Sequence, residues 1–79
     1  MNLSVDQQVQ AYLEALQFKT IVNRMKRGGS KNLTVVHQVH AAELARYAAT
    51  HNNPKVRKAL TEAFNEIKKA HLEYCLRLT

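Results

Sequence analysis

The 79-residue chain contains two glycines, adjacent at positions 28 and 29, and one proline, at position 54. Glycine and proline are the strongest punctuators of regular backbone, so two joints are marked. The first is Gly28-Gly29-Ser30 and the second His51-Asn52-Asn53-Pro54. The segments between them show no convincing alternation of period two, which argues against strands. The expected fold is all-α, a single domain over residues 1–79, with helices over about 4–27, 33–51 and 54–78. Short connections favour antiparallel neighbours, which predicts an up-down-up three-helix bundle. A chain this small buries only about 60% of its unfolded surface, so dimerisation is a natural remedy for a modest core.

Capping signals support these boundaries. Ser4 followed by Gln7 is the pattern of a capping box, and Asp6 suits the positive end of the first helix. Gly28 can end that helix in a left-handed conformation. Asn32 and Thr34 are both suitable caps for the second helix. Asn53 caps the third, and Pro54 takes the first helical position, where its missing N–H costs nothing.

The third helix carries a clear apolar stripe of Val56, Leu60, Ala63, Ile67, Ala70 and Tyr74, spaced 4, 3, 4, 3, 4. Such a seam is read as core. Phe64, His71 and Leu78 flank it. The first helix instead carries two stripes. Val5, Val9, Tyr12, Leu13 and Leu16 form one, and Phe18, Ile21, Val22 and Met25 form the other. At 100° per residue these lie on roughly opposite faces. Either the helix breaks near Gln17, or it stays straight and presents Phe18, Ile21, Val22 and Met25 as an interface for a protein partner or a second copy. No glycine or proline near Gln17 marks a break.

Charge is distributed unevenly. Twelve Lys and Arg against six Asp and Glu give a net charge of +6. No carboxylate occurs between Glu14 and Glu43, and that stretch holds Lys19, Arg24, Lys26, Arg27 and Lys31. Arg24, Lys26, Arg27 and Lys31 surround the glycine joint, a pattern suited to phosphate contacts. Dipole complementarity is the structural alternative, since cations are normal at a helix C-terminus. Lys55, Arg57 and Lys58 form a second cluster in the first turn of the third helix, where cations oppose the dipole. The expected anion-binding or nucleic-acid-binding residues are therefore Arg24, Lys26, Arg27, Lys31, Lys55, Arg57 and Lys58.

Several chemistries lack support. Gly28-Gly29-Ser30-Lys31 does not match a Walker loop, which needs glycines five apart after a strand. A helix-turn-helix over residues 39–64 would use helices longer than usual and a turn without glycine. His37, His40, His71 and Cys75 converge only under an assumed register, and without a Cys-x-x-Cys pair no metal is expected. A His71–Cys75 pair on a regular helix has no evident oxyanion site, and the acids are scattered, so no enzyme and no cofactor are expected. Residues 18–27 also read as a basic amphipathic helix, a pattern more often found facing a core than a membrane.

One cysteine excludes an internal disulfide, which fits a reducing compartment. No apolar run reaches a membrane span, and the N-terminus lacks signal-peptide character, so a cytoplasmic location without a membrane partner is expected. The composition thus points to a small, basic, regulatory protein that binds DNA or RNA. A protein-binding inhibitor or adaptor, such as phages and mobile elements encode, is the alternative. Few aromatics are free for base stacking, which favours backbone contacts with duplex or structured RNA.

Overall fold

A computed structural model describes residues 3–79. The described residues form four α-helices and no strand: α1 (Val5–Ala15), α2 (Phe18–Gly28), α3 (Val35–Thr50) and α4 (Pro54–Arg77). A short 3-10 turn, Gly29–Asn32, joins α2 to α3. Among the described residues no helix is long and apolar enough to cross a membrane.

The expected N-terminal caps are formed, but the positive-φ glycine that ends α2 is Gly29 rather than Gly28, which stays in the helix at φ −145°. Gln7 N–H donates to Ser4 Oγ at 3.1 Å, and Ser4 N–H donates to Gln7 Oε1 at 3.0 Å. Thr34 Oγ1 accepts from His37 N–H at 3.2 Å, while His37 Nδ1 accepts from Thr34 N–H at 3.3 Å. A histidine here takes the place that Glu or Gln holds in the usual capping box. Asn53 Oδ1 accepts from Lys55 N–H at 2.9 Å, and Asn53 N–H donates to His51 Nδ1 at 3.0 Å. The α3–α4 joint is thus closed by two local side-chain bonds.

The expected first helix is two helices. Gln17 lies between them at φ 57° and ψ 42°, and it is the one non-glycine residue with positive φ among those described. The physical reason lies in the two opposed stripes. A straight helix packed on one core would bury one stripe and expose the other. The left-handed residue re-aims the chain so that both stripes face the same interior. Ile21 and Met25 are buried, and Phe18 and Val22 pack half-buried against the core. The stripe expected as a partner interface therefore faces the chain's own interior.

α4 is the spine of the molecule. Val56, Leu60, Ala63, Ile67 and Ala70 are all buried along one face, and Tyr74 is half-buried. Leu78, expected to flank that stripe, is 70% exposed. α3 runs back along α4 and contributes Leu44 and His37 to the interior. α1 and α2 lie one after the other along α4. Tyr12 of α1 meets Tyr47 and His51 at the α3–α4 joint, with ring centroids 5.0 and 5.5 Å apart. At the other end, the Arg77 guanidinium donates to the Lys26 carbonyl, which fastens α4 to α2. The result is elongated, measuring 48 × 20 × 17 Å.

Candidate anion-binding surface

The basic residues fall at the two ends of this rod, and their local roles differ. At the α2 end, Lys26, Arg27 and Lys31 are exposed, whereas Arg24 is half-buried. Arg24 Nη1 donates to the Asn32 carbonyl at 2.9 Å, and Asn32 Nδ2 donates back to the Arg24 carbonyl at 3.2 Å. Arg24 therefore ties α2 to the 3-10 turn. Its guanidinium is committed to the fold, while its neighbours project into solvent. Arg77 joins this end through Lys26, although 51 residues separate the two in sequence. Lys69 borders the same face, in a shallow groove with Lys26, Glu66 and Glu73.

Gly29 shapes the turn that carries these cations. It is buried with φ 66°, and a Cβ there would lie 3.1 Å from the Tyr74 ring. The glycine thus allows both a positive-φ backbone and a close approach of the turn to α4. Cations around the C-terminus of α2 complement its dipole, which stabilises the cluster regardless of any ligand.

The second cluster has the same division of labour. Lys55 and Lys58 are exposed, and Arg57 is half-buried with its guanidinium bonded to the His51 carbonyl. That carbonyl belongs to the C-terminal cap of α3. The N-terminus of α4 repels cations, but the adjoining C-terminus of α3 attracts them. This juxtaposition offsets the unfavourable placement noted in the sequence. Each joint therefore has one arginine that holds main chain and at least two lysine or arginine side chains that remain free.

The histidines do not assemble a metal centre. No group of three or more His, Cys, Asp or Glu side chains with metal-holding geometry occurs among the described residues. His37 Nδ1 is committed to Thr34, and His71 Nε2 lies 3.6 Å from Cys75 Sγ. The Nδ1 atoms of His40 and His71 are buried without a hydrogen-bond partner.

Two sets of exposed aliphatic side chains were not anticipated. Val35, Val36 and Val39 on α3 and Leu72, Leu76 and Leu78 at the end of α4 are exposed, Val35 to 75%. All six belong to the end of the rod that holds the glycine turn. A signal was present in the spacing. Val35 and Val39 lie off the stripe of His37 and Leu44, and Leu72 and Leu76, four residues apart, lie opposite Ile67 and Ala70. Leu76 borders Lys26 and Arg77 directly in a shallow groove with Glu73. Comparison with protein-family models, with curated proteins and with solved structures yields no match.

Proposed function

We propose that this chain is a small, non-enzymatic, regulatory protein of the cytoplasm that binds nucleic acid through phosphate contacts. The observation that carries the reading is the convergence of exposed Lys26, Arg27 and Lys31 with Arg77 at one end of the rod. Lys55 and Lys58 supply a second contact at the other end. In this reading α1 and α2 together act as one broken leg of an up-down-up bundle, and α4 sets the spacing. Its 24 residues span about 36 Å, close to the ~34–36 Å turn of a duplex. Two basic ends at that distance suit phosphates on one face of a double helix. The half-buried aromatics, Tyr12, Phe18, Tyr47, Phe64 and Tyr74, leave little for base stacking.

Titration of generic DNA and RNA duplexes at increasing salt tests the reading. Phosphate neutralisation predicts a steep linear fall of log affinity with log salt. Absence of binding at low salt removes it and promotes a second reading, an inhibitor or adaptor that docks on a protein. The exposed aliphatics Val35, Val36 and Val39 on α3 and Leu72 and Leu76 on α4, of which Leu76 borders Lys26 and Arg77, favour that alternative.

A further inference from the structure

We infer that Gln17 is the hinge of an arm exchange, in which α1 swings out and packs on α3 and α4 of a second copy of this chain. Three independent features of the corner lead there. The first is the backbone. Gln17 is left-handed, and its side chain makes no cap hydrogen bond to α2. A non-glycine residue in this region is disfavoured relative to a right-handed helix. The second is hydrogen bonding. The amide groups of Phe18, Lys19 and Thr20 find no acceptor among the described residues, as at a helix start without a side-chain cap, and the first α2 amide to bond is that of Ile21, to the N-cap carbonyl of Gln17 at 3.0 Å. In a continuous helix those three amides would bond to the carbonyls of Glu14, Ala15 and Leu16. Straightening therefore relieves the left-handed residue and exchanges three solvent-facing amide bonds for intrahelical ones.

The third feature is the arm itself. Within α1 itself no residue is fully buried, and Leu16 at its C-terminal cap is the one buried member of its stripe, whereas α2 buries Ile21 and Met25. α1 is thus the more weakly held half. Once α1 and α2 become one straight helix, their stripes point in opposite directions. α2 stays on its own α4, and the stripe of α1 is left without a surface. The surface it matches is the one it has just vacated, where Tyr12 meets Tyr47 and His51. Only another copy of the chain offers that surface with the right shape. Exchange replaces each lost contact with the same contact to the partner, so the balance rests on the hinge. Short strained hinges are known to invite this exchange.

The hinge can be biased both ways. Glycine at position 17 tolerates the bent form and disfavours the straight helix, while alanine does the reverse. Sedimentation of the wild type, Gln17→Ala and Gln17→Gly should give dimer fractions in the order alanine, wild type, glycine. With two hinges per dimer, the association constant should differ between the variants by roughly 100-fold or more. To identify the dimer, two chains are mixed in a Cys75→Ser background. One carries Tyr12→Cys and the other Tyr47→Cys, and a short bifunctional thiol reagent is added. Arm exchange yields the crosslinked heterodimer, and Gln17→Ala in both chains increases it. A dimer that forms without this crosslink, or no response of the association constant to position 17, overturns the proposal.

Discussion

Arg24 and Asn32 hold each other by reciprocal bonds, guanidinium to carbonyl at 2.9 Å and amide to carbonyl at 3.2 Å. Each side chain satisfies the other residue's main chain, so the end of α2 and the end of the 3-10 turn are clamped as one unit. A residue read from sequence as a phosphate contact is therefore first a structural tie. Arg24→Lys separates the two roles, because it keeps the charge and loses the planar fork. It should cost about 1–2 kcal/mol of stability. Thermal denaturation should show this as a drop of roughly 4–8 °C per kcal/mol. Combining it with Asn32→Ala should cost less than the sum of the single changes, because both break the same unit. Full additivity would mean that the pair is not coupled.

Lys26, Arg27 and Lys31 should behave in the opposite way. They are exposed, so replacing any one with alanine should change stability by no more than about 0.5 kcal/mol. If they contact phosphate, each replacement should weaken duplex binding to a similar degree for all base sequences. It should also reduce the slope of log affinity against log salt by about one. Fluorescence anisotropy across a salt series measures both quantities. A change of affinity with an unchanged slope would assign the effect to something other than phosphate neutralisation.

The N-terminal caps of α1, α3 and α4 and the buried face of α4 were legible because they depend on local chemistry. Ser4, Thr34 and Asn53 accept from amides within three residues of themselves, Pro54 needs no amide partner, and the α4 stripe is a periodic pattern in the sequence. The break at Gln17 was legible only as a conflict. Two opposed stripes demand a change of direction, yet nothing in Leu16-Gln17-Phe18 specifies a left-handed residue. Tertiary packing imposes it, since Leu16, Ile21 and Met25 all reach the same core. The basic clusters were visible as charge, but which arginine would turn inward was not. That depends on the distance from Arg24 to Asn32 and from Arg57 to His51, which are set only when the joints fold.

Two leucines on α4 offer a test of how core and surface are divided. Leu60 is 0% exposed, and Leu76 is 63% exposed. Leu60→Ala removes packing in the N-terminal third of the spine and should cost about 2–5 kcal/mol. A core of this size supplies only about 3–5 kcal/mol in total, so the variant should be largely unfolded at 37 °C by circular dichroism. Leu76→Ala should leave the melting curve within about 0.5 kcal/mol of the wild type. If the exposed leucines of α4 receive a protein partner, the same variant should weaken that complex while leaving duplex binding intact.

Gly29 links the fold to the basic end most directly. Its φ of 66° favours glycine, and a Cβ there meets the Tyr74 ring at 3.1 and 3.2 Å. Gly29→Ala therefore carries two costs, a positive-φ, extended-ψ backbone that glycine alone adopts readily, at about 1–3 kcal/mol, and crowding against Tyr74. The two can be separated in a Tyr74→Ala background, where the crowding is gone and only the backbone cost remains. The penalty of Gly29→Ala should be smaller there, as read from denaturant midpoints at unchanged slope. Because the residue joins Lys26 and Arg27 to Lys31, a shift of the turn also moves these cations relative to one another. Gly29→Ala should then reduce duplex affinity even at temperatures where the variant is fully folded. An equal penalty in both backgrounds would mean that the turn does not rest on Tyr74, and the cations would then owe their placement to the Arg24–Asn32 clamp alone.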